Sequence, residues 1–174
     1  MKDNQHIVTA FDDDLSELNI SLQNLGKMAI TQFELSIDAL ATQHQNTLDK
    51  IIKDDVKLDD LEAAIHEKAL EIIAVRSPLA QDLRHVLVAL KVATILERTG
   101  DYARNIANRT KVIATAGNEN IPGVNIGRMG QVTRDMLQDV MRAYATRDAD
   151  KALDVWRRDI EVDHMHTAFY KEVL

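Results

Sequence analysis

Three pairs of acidic residues have a spacing that could hold a metal ion. The pairs are Asp55 and Asp59, Glu97 and Asp101, and Asp159 and Asp163. Residues four apart share one face of a helix, where like charges repel each other. If such a pair faces the interior, it needs a cation or hydrogen-bond donors to offset the cost of burial. Carboxylate oxygens are the ligands that hard cations prefer, and they also bind iron.

An ion-pair network is the competing interpretation of these acids. Arg98, Arg104 or Lys57 could neutralise them without any metal. Arg98 and Lys53 are each next to an acid in sequence, and Lys57 is two residues from Asp55 and Asp59, so all three should point around the helix and away from the acids. Structural networks also gather charges. Spacing alone therefore leaves both interpretations open.

The composition excludes several classes of function. Acids outnumber bases by 28 to 21, and a chain without a basic cluster is poorly suited to binding nucleic acid. The absence of cysteine excludes thiolate zinc sites, disulfides and cysteine nucleophiles, and it suits the cytoplasm. The apolar run that begins at Val86 is interrupted by Lys91 and Glu97, far short of the ~20 residues of a membrane span. We expect no insertion into the membrane.

The apolar residues recur every three or four positions, which predicts an all-α fold. Two prolines and six glycines in 174 residues favour long helices. Asp55 falls on the apolar stripe of the second helix, between Ile51 and Leu58. Glu97 and Asp101 fall on or beside the stripe of the third. The predicted helices cover about residues 9–41, 48–76, 79–114, 126–145 and 149–174. The first should start at Thr9, because Asp12 follows three residues later and the acidic run 12–14 suits the positive end of a helix.

The second and third helices should form an antiparallel hairpin around Ser77 and Pro78, because the residue before proline disfavours helical angles. Residues that face each other across such a hairpin have numbers that sum to roughly 155. By this rule Asp55 and Asp59 face positions near 100 and 96. The sequence thus predicts that four acids, Asp55, Asp59, Glu97 and Asp101, meet at one level of the bundle.

The chain also contains an internal repeat. A shift of about 104 residues places Gly26 on Gly130 and the pair Asp55 and Asp59 on Asp159 and Asp163 without a gap. The same shift places Leu70, inside the second helix, on Leu174, so the second copy lacks a third helix. Its two helices should present an uncovered apolar face. We expect either a fragment of a longer protein or a second subunit on that face, and we expect self-association into a homodimer.

Several short patterns together resemble the PhoU family of bacterial phosphate-signalling proteins. They are His6-Ile7 with Phe11, Asp55-x-x-x-Asp59, Arg76-x-Pro78, Asp82-Leu83-Arg84, and Glu97-Arg98-x-Gly100-Asp101 followed by Asn105-Ile106. The resemblance runs from about His6 to Leu174. Thr99 departs from it, because an apolar residue is usual at this position.

The resemblance implies two antiparallel three-helix bundles, the second incomplete. The first repeat would cover residues 6–116, a linker 117–125, and the truncated second repeat 126–174. The resemblance also implies carboxylate motifs that bind a metal ion or multinuclear cluster, commonly iron, and zinc or magnesium in some members. By position, Asp55, Asp59, Glu97 and Asp101 carry the motifs of the first repeat. Asp159 and Asp163 carry half of those of the second.

For function, the resemblance implies a regulatory adaptor and not an enzyme. Members of this family repress the phosphate-starvation response when phosphate is plentiful. They do so by contacting the transporter ATPase PstB and the sensor kinase PhoR at the inner face of the membrane. We therefore expect a cytoplasmic protein that associates with the membrane only peripherally, through its partners.

Two alternatives stay open beside this interpretation. The first is a carboxylate-bridged metalloenzyme of helical-bundle type. Glu161 and His164 have the spacing used in di-iron bundles, but such a site needs two copies and the sequence has one. The second is a plain helical scaffold whose acids are only salt-bridged. Under it, alanine at Glu97 and Asp101 would change neither metal content nor partner binding.

Overall fold

A computed structural model describes residues 2–116 and 123–173. Within these ranges every regular element is an α-helix, which confirms the predicted all-α fold. The helices are α1 (Lys2–Thr42), α2 (Gln45–Asp54), α3 (Val56–Arg76), α4 (Ala80–Thr115), α5 (Gly123–Thr146) and α6 (Ala149–Val173). Most of the predicted linker, residues 117–122, lies outside the described residues, and α5 begins at Gly123.

Two helix boundaries differ from the sequence prediction. The predicted second helix is divided into α2 and α3 at Asp55, whose backbone angles stay helical at φ −57° and ψ −40°. The first helix begins at Lys2 and not near Thr9, so the predicted start is wrong. An acidic run inside a helix is tolerated here because Asp14 pairs with two cations of α3. Its carboxylate lies 2.9 Å from Lys68 Nζ and 2.9 Å from Arg76 Nη2, and these hydrogen bonds hold the pKa of Asp14 below its ordinary value.

The turns before and after the helices use residues other than glycine. Gln43, Ser77, Ala80 and Arg147 all have positive φ, between 47° and 55°. Gln43 donates its backbone N–H to the Ala39 carbonyl, and Ser77 donates to the Ile73 carbonyl. These bonds satisfy carbonyl groups that a helix end otherwise leaves without a partner.

The first of two compact units comprises Met1–Ala29 and Val56–Arg98. Its core is built from the apolar stripes of α1, α3 and α4, which follow helical spacing in the sequence. The most buried side chains are Leu18, Leu22, Leu25, Leu58, Ile65, Ile72 and Val86. Alanines at positions 69, 89 and 93 are as fully buried, and small side chains allow helices to approach closely.

The second unit comprises Ile30–Asp55 and Thr99–Leu174. One of its core clusters contains Ala39, Leu48, Ile51, Ala103 and Ala107. In the same unit α6 packs against α5, and the Arg158 guanidinium lies 2.9 Å from Asp139 of α5. These two units cut across the predicted repeats, and the boundaries at 6–116, 117–125 and 126–174 stay a prediction.

Gly130 allows α5 to pack closely against α1 within unit 2. A Cβ atom at this position would lie 2.7 Å from Cγ2 and 2.8 Å from Cγ1 of Ile37. Both Ile37 atoms are held at a branched Cβ and have little freedom to move. The repeat equivalent, Gly26, is also buried.

We predict that Gly130→Ala lowers the free energy of unfolding by about 1–2 kcal/mol. Overpacking against Ile37 outweighs the gain of up to ~1 kcal/mol that alanine gives to a helix interior. Gly127→Ala is the matched control, because a Cβ atom at that position would have open space within 4 Å, and we expect it to be neutral or stabilising. Urea denaturation of both variants measures the difference, and equal stabilisation by the two would contradict the close approach.

Candidate functional site

Asp55 lies at the single-residue break between α2 and α3, and it is buried, with 4% of its surface exposed. Its place on the apolar stripe, one turn after the buried Ile51, agrees with the sequence prediction. A buried carboxylate without compensation is costly. The residues around Asp55 must therefore supply positive charge or hydrogen-bond donors.

Arg104 of α4 supplies that charge. Its Nη1 forms an ion pair and a hydrogen bond with Oδ2 of Asp55, and its Nη2 lies 2.7 Å from Oδ1 of Asp101. Arg104 follows Asp101 by three residues, so the two side chains share one face of α4. The Arg104 side chain is two-thirds covered. A single internal cation thus joins two of the predicted metal ligands within unit 2.

The other predicted ligands differ from these two in their surroundings. Glu97 is half-buried, whereas Asp59 is exposed. Asp59 lies about 110° around the helix from the centre of the buried stripe, which explains why its side chain is exposed. In α6, Asp159 and Asp163 are both exposed, as are Glu161 and His164.

The described residues contain no group of three or more histidine, aspartate or glutamate side chains arranged to hold a metal ion. As arranged, Asp55 and Asp101 hold the guanidinium group of Arg104. The ion-pair interpretation therefore accounts for these two acids. Metal binding by the six predicted residues stays a prediction.

Sequence reasoning named Arg104 only as one of three candidate cations. Its spacing from Asp101 was the signal that could have singled it out, since arginine at i+3 reaches an acid on the same face. The sequence alone does not give the distance from α4 to Asp55. That distance depends on how closely the helices pack at the core alanines 103 and 107.

A second polar cluster, in unit 1, joins α3 and α4. The hydroxyl of Thr94 lies 3.2 Å from Glu62 Oε1 and 3.4 Å from His66 Nε2, and that same nitrogen lies 3.0 Å from Glu62. A nucleophilic triad needs the acid on the opposite ring nitrogen of the histidine. The arrangement therefore stabilises the contact between the two helices and does not activate Thr94.

We predict that Arg104→Gln destabilises the protein by about 2–3 kcal/mol, because it leaves the buried Asp55 carboxylate without its cation. The double variant Arg104→Gln with Asp55→Asn should recover most of this loss. Arg109→Gln is the matched control, as Arg109 lies on the same helix and is exposed. Urea denaturation at pH 7 gives the four free energies; an effect of Arg104→Gln no larger than that of the control would contradict the assigned role.

None of the helices in the described part of the chain combines the length and apolar character needed to cross a membrane.

Comparison with known proteins identifies relatives along nearly the whole chain. The family model described as the PhoU domain matches residues 22–110 and 126–174. The phosphate-specific transport system accessory protein PhoU homolog of Caulobacter vibrioides is 36% identical over 170 residues, which are 98% of this chain and 74% of that protein. The phosphate-specific transport system accessory protein PhoU of Escherichia coli is 32% identical over 171 residues, covering 98% and 70% of the two chains.

Solved structures give the same result at the level of the fold. The phosphate transport system regulatory protein PhoU from Streptococcus pneumoniae matches with a TM-score of 0.86 and 26% identity, over 94% of this chain and 76% of that one. PhoU from Pseudomonas aeruginosa matches with a TM-score of 0.89 and 28% identity, over 93% and 78%. The named relatives are accessory and regulatory proteins, and the prediction that the chain is not an enzyme is confirmed. The chain belongs to the PhoU family.

Proposed function

We propose that this protein is a regulatory accessory protein of a phosphate transport system. One observation carries the proposal: the relatives that align with 98% of the chain are phosphate-specific transport system accessory proteins. The all-helical fold, which the PhoU proteins of known structure share, supports the same assignment.

We propose in addition that the protein represses the phosphate-starvation response and phosphate uptake when phosphate is plentiful. It acts in the cytoplasm by contacting the ATPase PstB and the sensor kinase PhoR, and it reaches the membrane only through these partners. Its acidic composition supports protein partners over nucleic acid, since phosphate backbones require clustered lysine and arginine.

A deletion of the gene in its host tests this proposal. We predict that the deletion strain expresses a phosphate-starvation reporter and takes up phosphate even at high external phosphate, and that the wild-type gene restores repression. The same gene with Lys50→Glu and Lys53→Glu, two exposed changes on α2, controls for surface charge and should also restore repression. A deletion strain with normal repression and uptake would overturn the proposal.

We further propose that a metal, iron or alternatively zinc or magnesium, binds at the acids Asp55, Asp59, Glu97 and Asp101. Asp159 and Asp163 would form part of a second site. Arg104 now occupies two of these carboxylates, so a metal ion would have to replace its guanidinium group. Exchange of one cation for another at Asp55 keeps the buried charge compensated, which makes the replacement physically reasonable.

Elemental analysis by mass spectrometry tests the metal proposal. We predict bound metal in the wild-type chain and its loss when Asp55, Asp59, Glu97 and Asp101 are replaced by alanine. A matched variant with alanine at the exposed acids Asp12, Asp13, Asp38 and Asp150 removes the same charge and should keep the metal. No metal in the wild-type protein after anaerobic reconstitution would leave Asp55 and Asp101 as partners of Arg104 alone.

We also propose that the protein self-associates into a homodimer. An apolar stripe on α6 supports it, since Trp156 is 73% exposed, Ile160 61% and Leu153 48%. Exposed apolar stripes of this kind mark interaction surfaces. Sedimentation of the wild-type protein from the metal experiment, over a range of concentrations, distinguishes a homodimer from a monomer.

A further inference from the structure

One face of α4 within unit 1 combines cations with large apolar side chains. We call it the basic face of α4, and its members are Arg84, Leu87, Val88, Lys91, Ile95 and Arg98. All six are exposed. Neither the metal proposal nor the core of the unit uses any of them.

The charges on this face have one sign. Arg84, Lys91 and Arg98 follow one another at intervals of seven residues, which keeps them on the same side of the helix. The acid within this segment is Glu97, which is half-buried and one helical step of 100° from Arg98. In a chain whose acids outnumber its bases by 28 to 21, such a face stands out from the rest of the surface.

The apolar members are about half exposed. Leu87 is 50% exposed, Val88 46% and Ile95 52%, whereas Val86 and Ala93 on the opposite side of the same helix are fully buried. Val88 and Ile95 are also seven residues apart. Exposed apolar side chains that lie together on one face are typical of a docking surface.

The neighbouring helix contributes one acid to the border of this face. Glu62 of α3 reaches Thr94 at 3.2 Å, and its Oε1 also lies 3.0 Å from Nε2 of His66. Glu62 is thus engaged at the contact between α3 and α4. Lys91, in the middle of the face, is exposed.

We propose that the basic face of α4 binds an acidic amphipathic helix of a partner protein. A helix fits because a seven-residue repeat stays in contact with a second helix that winds around the first. An acidic helix fits because glutamate or aspartate opposite Arg84 and Lys91 complements their charge, while its own apolar residues cover Val88 and Ile95.

The distribution of residues on the face disfavours a membrane surface as the occupant. Helices that lie in a membrane interface separate an apolar face from a basic face. Here the cations lie between Leu87 on one side and Ile95 and Val88 on the other, within an arc of about 100°. That mixture matches the alternating side chains of a helix better than the layered chemistry of a lipid surface.

The inference rests on the proposed function, which assigns the partner to a phosphate transport system. The test measures binding of the full-length protein to the host's purified phosphate-specific transporter in lipid nanodiscs by biolayer interferometry. Arg84→Glu with Lys91→Glu reverses the charge, and Val88→Ser with Ile95→Ser removes the apolar contacts. Lys50→Glu with Lys53→Glu makes the same change in net charge on α2.

We expect each basic-face variant to bind at least tenfold more weakly than the wild type, and the α2 control to bind within twofold of it. Wild-type binding should also weaken as salt is raised, because the contact is partly electrostatic. Circular dichroism must show wild-type helicity in every variant, which is expected since all the changed residues are exposed.

The opposing outcomes are distinct. A wild-type protein that does not bind the transporter would overturn the proposed function, and this inference with it. Wild-type affinity in both basic-face variants would overturn the inference alone. Equal binding to nanodiscs without the transporter, lost on Arg84→Glu with Lys91→Glu, would assign the face to anionic lipid instead of an acidic helix.

Discussion

A carboxylate buried among apolar side chains has to be neutralised, and at Asp55 this requirement links several parts of unit 2. Asp55 interrupts the helical hydrogen bonding between α2 and α3, and Arg104 reaches it from α4. The contact is strongest if α4 lies close, and the alanines at 103 and 107 allow that approach beside Ile51. Apolar packing and charge compensation therefore depend on each other here. To replace the Arg104 guanidinium group, a metal ion would have to compensate the charge of Asp55 while the helices stay in place.

Much of the fold follows from patterns that the sequence displays directly. The three- and four-residue spacing of apolar side chains predicted the helices, and the end of α3 at Arg76 lies two residues before Pro78, as its effect on the preceding backbone predicts. The burial of Asp55 was also predictable, because it occupies a core position of its stripe. These features depend on local spacing, which a single sequence contains.

The features that sequence reasoning missed depend on contacts between distant segments. The start of α1 was placed too late because Asp12, Asp13 and Asp14 are characteristic of a helix N-terminus. Only the position of Lys68 and Arg76, more than fifty residues away, shows why Asp14 is stable inside the helix. The pairing of Arg104 with Asp55 likewise joins residues 49 apart in sequence. The biological setting of such a bundle is indicated by its family membership, and not by residue spacing or packing.

The turns before and after the helices have a consequence for how this protein could evolve. Gln43, Ser77, Ala80 and Arg147 hold left-handed backbone angles without being glycine, and each such residue costs about 1 kcal/mol or more. Substitutions at these four positions could therefore stabilise the chain, and this possible gain is a reserve of stability. Glycine at these positions could offset the loss from a destabilising change elsewhere. Such a reserve gives a lineage room to alter exposed binding faces while the helical framework stays folded.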